Sequence, residues 1–306
     1  MRVAAIDLGT NTTRLLVADV DGDQIHEVVK RTRITRLGEG VDARRRLLPL
    51  PITRVRNCLT EYRRELGSLG AERTLLVATS AVRDAENGEA FLGEIEWSYG
   101  FTTRLLSGDE EAELTLRGVG ETDGSPLVVD IGGGSTELIG AAQRISLDVG
   151  AVRLTERHLP SDPPTKEELE ECAAAVRAAL PDGLRAERAI GVAGTITSLA
   201  ALALELPEYD PERVHGHTLT LDGAQRQLAR LASMPLDERR QVPALDPDRA
   251  PVIVAGAIIL REVLVHFGLD EIKASERDIL HGAALEASAL PEPVEGDAPP
   301  GAYTCC

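Results

Sequence analysis

The stretch VAAIDLGTNTTRLL, residues 3–16, is echoed by LVVDIGGGSTELI at residues 127–139. Alignment of Asp7 with Asp130 also pairs Gly9 with Gly132, Thr12 with Ser135, Thr13 with Thr136 and Leu15 with Leu138. In each copy an apolar run ends in a carboxylate, small and hydroxyl-bearing residues form a tight turn, and a second apolar run follows. Glycine lets backbone N–H groups approach a ligand, and a concave array of N–H dipoles favours phosphate. The repeat therefore predicts two phosphate-binding hairpin loops, although turns alone also select Gly, Asn, Ser and Thr.

Chain length and composition indicate the number of domains and argue against some partners. A chain of 306 residues is long for one core and suits two domains. Apolar residues make up 43 % and aromatic residues only 3 %, so Leu, Val, Ile and Ala must build the cores. The net charge of −17 argues against nonspecific binding to nucleic acid or to an anionic membrane. An anionic substrate then needs local N–H groups, arginines and a cation to hold it.

The cysteines and the apolar runs predict a cytoplasmic protein. Cys58, Cys172, Cys305 and Cys306 show no paired C-x-x-C spacing, so we expect reduced thiols. The first apolar run stops at Asp7, which is unlike a signal peptide. The apolar run at residues 252–260 is too short to span a bilayer.

Strand and helix signals alternate along the chain, which predicts an α/β fold with mixed sheets. The first part predicts strands at 3–6, 15–20, 25–29, 74–78 and 101–106, and helices at 51–69, 87–99 and 109–118. The second part predicts strands at 127–130, 136–141, 144–149, 189–192 and 271–274, and helices at 152–158, 166–180, 195–204, 222–234, 248–267 and 276–289.

A polar, glycine-containing break at residues 120–126 divides the two repeats. We therefore expect an N-terminal domain at 1–121 and a C-terminal domain at 122–290. The last helix, 276–290, has two possible positions, in the second domain or packed back on the first. The segment 291–306 is rich in Pro, Gly and acidic residues and is expected to be a disordered tail.

Six sequence blocks, taken in order, resemble one family. They are DLGTNT at 7–12, RLGEG at 36–40, ATSAVRDA at 78–85, SGDEEA at 107–112, DIGGGSTE at 130–137 and GT at 194–195. Together they resemble the Ppx/GppA family of exopolyphosphatases and guanosine pentaphosphate phosphohydrolases, within the actin/Hsp70/sugar-kinase superfamily. The resemblance implies two actin-like (ribonuclease H-like) domains with mixed sheets and an interdomain cleft, and a homodimer. The chain lacks the His-Asp dipeptide of longer members, so it resembles the short two-domain form, and Asp278 stands where the family often has glycine.

Two residues are candidates for the chemistry of phosphoanhydride hydrolysis. By resemblance, Glu111 occupies the position of the catalytic acid and would act as general base toward water. The alternative interpretation is that the negative charges of Glu110, Glu111 and Glu113 only stabilise the positive N-terminal end of a helix dipole. We assign that role to Glu110. Arg83 matches the anion-binding arginine of the family, and a guanidinium can bind phosphate oxygens bidentately. Arg14 and Arg36 are weaker candidates for the same role.

Backbone and hydroxyl donors are expected to bind the phosphates. The candidates are Gly9, Thr10, Asn11, Gly132, Gly133, Gly134, Ser135, Gly194 and Thr195. Three successive glycines in one loop point to close approach of the backbone to a ligand or to an unusual bend. The Gly194-Thr195 pair lies between a predicted strand and a predicted helix, where helix N–H groups attract anions.

Asp7 and Asp130 end buried strands with no basic neighbour in sequence. A buried carboxylate needs a partner, so we expect each to face a metal ion, water or N–H groups. We predict Mg²⁺, a hard cation that bridges carboxylate and substrate phosphate, with Glu137 as a third ligand. The alternative is that both aspartates hydrogen-bond to their own turns. His215 and His217 could share a strand face, but no acidic or cysteine cluster surrounds them, so the default is that they are strand-edge or loop histidines.

The sequence predicts an Mg²⁺-dependent exopolyphosphatase that releases terminal phosphate from inorganic polyphosphate. Guanosine pentaphosphate is the alternative substrate for the same residues. An ATP-dependent kinase of the superfamily and a non-enzymatic nucleotide sensor are further alternatives. The chain has no G-x-x-x-x-G-K-[ST] motif and no G-x-S-x-G motif, which excludes P-loop NTPases and serine hydrolases of the α/β type.

Overall fold

The structure is a computed structural model that describes residues 1–120, 126–140 and 143–291. The chain divides into two compact units. The first contains Met1–Val119 and the chain from Ile279 onward, and the second contains Gly120–Asp278. The predicted tail lies outside the described residues except for Pro291. The first unit is therefore discontinuous in sequence, because the last helix belongs to it.

The first unit contains a mixed sheet of five strands in the order β3-β2-β1-β4-β5. Its strands are β1 (Arg2–Leu8), β2 (Thr12–Asp21), β3 (Gln24–Ile34), β4 (Arg73–Ala78) and β5 (Thr102–Leu105). β1 pairs antiparallel with β2 and parallel with β4. Both faces of β1 are covered, since Ala4 and Ile6 belong to one apolar cluster and Val3 and Ala5 to another. This explains why β1 reads as a continuous apolar run rather than an alternating one.

The second unit contains a mixed sheet of six strands in the order β10-β11-β9-β6-β7-β8. Its strands are β6 (Leu127–Ile131), β7 (Thr136–Ile139), β8 (Arg144–Leu147), β9 (Ala189–Val192), β10 (Thr218–Thr220) and β11 (Glu271–Ala274). β6 pairs antiparallel with β7 and parallel with β9, as β1 does with β2 and β4. Five strands of the second sheet, in the order β8-β7-β6-β9-β11, thus repeat the topology of the first sheet, and β10 is an additional edge strand. Each sheet begins with a strand–loop–strand hairpin.

Helices connect and cover these strands. In the first unit they are α1 (Val41–Arg44), α2 (Pro49–Leu69), α3 (Ser80–Arg83), α4 (Gly88–Tyr99) and α5 (Gly108–Val119). In the second unit they are α6 (Ala151–His158), α7 (Lys166–Ala179), α8 (Ala193–Ala203), α9 (Pro211–Val214), α10 (Leu221–Ala232), α11 (Leu236–Arg239) and α12 (Ile253–Phe267). α13 (Ile279–Ala289) returns to the first unit. None of the helices in the described ranges is long and apolar enough to cross a membrane.

Most predicted elements are confirmed, and the differences lie at their ends. β2, predicted at 15–20, begins at Thr12, and β3, predicted at 25–29, extends to Ile34. The helix predicted at 248–267 begins only at Ile253, and the helix predicted at 276–289 begins at Ile279. At the second boundary the Ser275 hydroxyl accepts a hydrogen bond from the Arg277 N–H, a local turn that competes with the helix. The strand β10 and the four-residue helices α1, α3, α9 and α11 are too short to leave a periodic signal.

α13 packs closely against α5, the helix that carries Glu111. A Cβ atom on Gly282 would lie 2.7 Å from the carbonyl carbon of Leu114, so only glycine lets the two backbones approach this far. Arg73 donates from Nη1 to the Ser288 carbonyl at 2.7 Å, and Arg104 pairs with Glu286. The position of α5 in the first unit therefore depends on α13.

We expect Gly282→Ala to lower the free energy of unfolding by about 1–3 kcal/mol, because the added methyl group forces α13 away from α5. Thermal or urea unfolding followed by circular dichroism measures the change. The control is Gly93→Ala in α4, where an added Cβ has nothing within 4 Å. That control should raise stability slightly, because alanine favours a helix over glycine. Equal stability of the wild type and Gly282→Ala would contradict the described packing.

Candidate active site

The first hairpin loop places Asp7 opposite Arg14. The two residues pair in the antiparallel register of β1 and β2. Nε and Nη2 of Arg14 donate to Oδ2 of Asp7 at 2.9 Å and 2.6 Å. The sequence next to Asp7 shows no base, and we expected this carboxylate to face a metal ion, water or N–H groups; a guanidinium engages one of its oxygens instead. The strand register supplies the guanidinium across the hairpin.

The N–H of Gly9, predicted to bind phosphate, is used inside the turn. It donates to the Thr12 carbonyl at 2.9 Å. The carbonyls of Thr10 and Asn11 in turn accept hydrogen bonds from the backbone N–H groups of residues 35, 36 and 38. Gly9 therefore does not donate its N–H to a ligand, and Thr10 and Asn11 stay as the candidate donors of this loop.

The second hairpin loop places two carboxylates side by side. Asp130 of β6 pairs with Glu137 of β7 in the antiparallel register, at the positions that Asp7 and Arg14 hold in the first loop. Both are buried, and Glu137 is only 1 % exposed. The Ser146 hydroxyl donates to Oε1 of Glu137 at 2.8 Å. As in the first loop, the N–H of the first glycine, Gly132, is used in the turn and donates to the Ser135 carbonyl at 3.0 Å.

The donor set of the second loop fits a hard divalent cation. No group of three or more His, Cys, Asp or Glu side chains suited to a metal occurs within the described ranges. Mg²⁺ does not require such a cage, since it keeps several waters and takes one or two carboxylates plus substrate phosphates. Asp130 and Glu137, adjacent in register, are such a pair. In the first loop Arg14 already neutralises one oxygen of Asp7.

Arg83 and Glu111 are brought together in the first unit. Glu111 lies in the first turn of α5, its N–H donates to the Ser107 carbonyl, and it is only 8 % exposed. Arg83 ends α3, the short helix that follows β4. Its Nη1 donates to the Leu106 carbonyl at 2.6 Å and lies 3.3 Å from Oε2 of Glu111. Two residues 28 positions apart in sequence thus form a buried acid with an arginine beside it.

Glu110 has a different role from its neighbour. Its Oε2 accepts hydrogen bonds from the backbone N–H and the hydroxyl of Ser107, both at 2.8 Å. Arg104 donates to Oε1 at 2.7 Å. The backbone and side-chain hydrogen bonds from Ser107, followed by that from Arg104, lower the pKa of Glu110 to about 2. A carboxylate held this way caps a helix and is too weak a base to activate water.

The predicted Gly194-Thr195 site begins α8 in the second unit. Ala193 has a φ of 64°, a left-handed conformation that costs energy for a residue with a side chain. The guanidinium of Arg249 packs where a Cβ on Gly194 would lie. Thr195 is buried, and a Cβ on Gly256 of α12 would lie 2.6 Å from its methyl carbon. Arg249 was missed by sequence reasoning, because its approach to Gly194 spans 55 residues and leaves no local signal.

Within the described residues, the histidines and the cysteines belong to no metal-binding cluster. Nδ1 of His215 accepts a hydrogen bond from the Glu276 N–H, and burial lowers the pKa of His217. Cys58 and Cys172 are buried free thiols, and burial raises their pKa values to about 11 and about 12. Cys305 and Cys306 lie outside the described residues.

Each unit is an α/β unit with a mixed sheet that begins with a hairpin loop, and five strands of each sheet follow the same order. This architecture defines the class of the protein: two actin-like (ribonuclease H-like) domains. The sequence model of the Ppx/GppA phosphatase family matches residues 16–288, and the chain belongs to that family. The chain is accordingly an enzyme, a hydrolase of phosphoanhydrides. The family and the fold class predicted from sequence are both confirmed.

Known proteins resemble the chain over almost its whole length. Exopolyphosphatase 2 of Mycobacterium tuberculosis is 42 % identical over an alignment 311 residues long. The alignment covers 93 % of this chain and 98 % of that protein. The crystal structure of an exopolyphosphatase-like protein has a TM-score of 0.88 at 35 % identity, with 94 % of this chain and 98 % of the other covered. The Aquifex aeolicus member of the Ppx/GppA family has a TM-score of 0.80 at 32 % identity, with the same coverage.

Proposed function

We propose that this chain is an Mg²⁺-dependent exopolyphosphatase, which releases terminal phosphate from inorganic polyphosphate by attack of water. The observation that carries the proposal is the ion pair between the half-buried Arg83 and the buried Glu111, with Nη1 and Oε2 3.3 Å apart. Relatives named exopolyphosphatase or exopolyphosphatase-like match 93 % and 94 % of the chain, which supports polyphosphate as the substrate.

Glu111 acts as the general base in this proposal. A base must be within hydrogen-bond reach of the water whose proton it takes, and its position has to be fixed beforehand. The helix N-terminus and the ion pair with Arg83 hold Glu111 in one place. Its neighbour Glu110 cannot replace it, because both of its oxygens are engaged by Ser107 and Arg104.

Arg83 provides positive charge next to the reacting phosphate. In phosphoryl transfer, charge spreads over the equatorial oxygens of the transferred group, and catalysis depends on positioning and electrostatic stabilisation. Nη1 of Arg83 is fixed by the Leu106 carbonyl, which leaves the orientation of the guanidinium plane defined before substrate arrives. A preorganised cation of this kind stabilises the transition state without reorganisation of water.

The two hairpin loops bind the phosphates of the substrate through backbone and hydroxyl donors. We assign this role to Thr10 and Asn11 in the first loop and to Gly133, Gly134 and Ser135 in the second. Gly194 and Thr195 at the start of α8 are further donors. Such local donors are needed because the whole chain carries a net charge of −17, which opposes a polyanion.

Mg²⁺ would be held by Asp130 and Glu137 of the second loop. When bound, the cation neutralises charge on the phosphate oxygens and orients the terminal group. The Ser146 hydroxyl donates to Oε1 of Glu137, which helps to fix the position of that carboxylate. Removal of the metal by EDTA should therefore reduce turnover strongly, and added Mg²⁺ should restore it.

Phosphate release tests the proposal. We would measure it from polyphosphate of several lengths, guanosine pentaphosphate and ATP, each with Mg²⁺ and with EDTA. The proposal predicts Mg²⁺-dependent release from polyphosphate with the highest kcat/KM. A higher kcat/KM on guanosine pentaphosphate would assign the alternative substrate of the family. ATP use that requires an acceptor, or binding without release, would replace the proposed function by a kinase or a sensor.

A further inference from the structure

The second hairpin loop rests on α6. The carbonyl of Gly132 accepts a hydrogen bond from the Ala151 N–H at 2.9 Å. The carbonyl of Gly133 accepts from the N–H groups of Val152 and Arg153, at 2.8 Å and 3.1 Å. The first N–H groups of α6, which an anion could otherwise bind, are thus occupied by loop carbonyls.

Arg153 engages the third carbonyl of the loop with its side chain. Its Nε donates to the Gly134 carbonyl at 2.7 Å, and the residue is only 7 % exposed. Its Nη2 lies 3.8 Å from an exposed carboxylate, that of Asp148. Removal of a guanidinium from water costs free energy, so packing alone does not explain a buried arginine at this position.

The direction of these three carbonyls decides the direction of the next three N–H groups. In a trans peptide, the C=O of one residue and the N–H of the next point in opposite directions. Because the carbonyls of residues 132–134 face α6 and Arg153, the N–H groups of residues 133–135 face away from them. No backbone oxygen of the described residues accepts a hydrogen bond from these three N–H groups. These N–H groups therefore lie on the side of the loop away from α6, where consecutive backbone donors favour an anion.

Gly150 permits this contact between loop and helix. A Cβ atom there would lie 2.5 Å from the carbonyl carbons of both Gly133 and Gly134. The Val149 carbonyl next to it accepts a hydrogen bond from the Thr136 hydroxyl at 2.6 Å, which ties the start of α6 to the start of β7. Any side chain at Gly150 must push the loop away from α6.

The carbonyls of the first loop are also held by hydrogen bonds, but from a different kind of segment. The carbonyls of Thr10 and Asn11 are engaged by backbone N–H groups of residues 35, 36 and 38 rather than by a helix. That segment is in turn held by Arg54, whose Nε donates to the Thr35 carbonyl at 2.6 Å. In both loops, groups behind the loop fix its carbonyls, and an arginine takes part in each.

We propose that Arg153, with Gly150, is a positioning residue for substrate: it turns the N–H groups of residues 133–135 toward the phosphates. This inference rests on the proposed function, since it assumes that the second loop binds substrate phosphate. Arg153 acts through the Gly134 carbonyl and touches no reacting atom. Its loss should therefore weaken phosphate binding more than it slows the chemical step.

Arg153→Met tests the inference by steady-state kinetics on polyphosphate. Methionine keeps an apolar side chain of similar length but cannot donate to Gly134. Loss of well-oriented hydrogen bonds to a charged ligand corresponds to about a tenfold or larger rise in KM. We expect kcat to change much less. Arg153→Lys keeps one donor and the charge and should recover part of the loss. The matched control is Arg157→Met, the same substitution at an exposed position one turn further along α6.

One further measurement and one further variant complete the test. Calorimetric binding of tripolyphosphate to the full chain, with and without Mg²⁺, reports on the loop even when turnover is absent. If the wild type binds tripolyphosphate but releases no phosphate, the proposed function fails while the inference is still judged by the affinities. If Arg153→Met does not fold, Gly150→Ala takes its place, with an expected loss of affinity and Gly93→Ala as control. A folded Arg153→Met or Gly150→Ala variant with wild-type KM and wild-type affinity would overturn the inference.

Discussion

Replacement of Glu111 by glutamine is expected to lower kcat on polyphosphate by about 10²- to 10⁴-fold, the usual contribution of a general base. The amide is nearly isosteric with the carboxylate but cannot accept the proton of the attacking water. Substrate affinity should be close to that of the wild type, because no phosphate-binding donor is removed. Initial-rate measurements together with calorimetric binding of tripolyphosphate separate the two effects.

The adjacent glutamate is the matched control. Glu110→Gln makes the same chemical change one residue away, yet Glu110 is committed to Ser107 and Arg104. Its replacement should lower thermal stability and leave kcat within a few fold of the wild type. If Glu111→Gln keeps normal turnover while Glu110→Gln loses it, the assignment of the base is wrong and the two residues exchange roles.

The second large effect is expected from Arg83→Met, which should lower kcat by about 10²- to 10³-fold, the range found for loss of one preorganised transition-state donor. The variant removes the cation from the transferred phosphate and also leaves Glu111 without its guanidinium neighbour at 3.3 Å. Arg83→Lys should recover only part of the rate, because an ammonium lacks the planar fork that binds two oxygens. Single-turnover measurements at saturating substrate isolate the chemical step.

Arg104→Met is the control for Arg83→Met. Arg104 also pairs with a glutamate of α5, but with Glu110, and it connects to Glu286 of α13. Its loss should lower the melting temperature with little change in kcat. A fall in kcat that is equal in Arg83→Met and Arg104→Met would show that both arginines act through the stability of α5 alone.

Much of the fold could be predicted from the sequence. The repeated hairpins at residues 3–16 and 127–139 combine apolar runs with turn residues, and both patterns act over a few positions. Long helices such as α2 and α7 carry clear start signals: Pro follows the N-cap of α2, and a capping box formed by Thr165 and Glu168 begins α7. α12 begins five residues later than predicted, because residues 248–252 form a hydrogen-bonded turn in which the Val252 N–H donates to the Arg249 carbonyl.

The candidate site was predictable only in part. Residue types and family blocks indicated Glu111, Arg83 and the loop glycines. They did not indicate that Arg14 pairs with Asp7, or that Gly9 and Gly132 use their N–H groups inside the turn. The Arg14–Asp7 pairing depends on the register of the two strands. The hydrogen bonds that the Gly9 and Gly132 N–H groups donate depend on the conformation of each turn.

By itself the sequence determined the local elements of this protein, its two hairpin loops and its family, because these depend on patterns within short segments. The tertiary structure alone decided which distant groups meet. It placed Arg83 beside Glu111, packed α13 on α5, and set α6 and Arg153 behind the glycine loop. The physical reason is that a hydrogen bond between side chain and backbone depends on the spatial approach of two elements, and adjacent residues carry no trace of it.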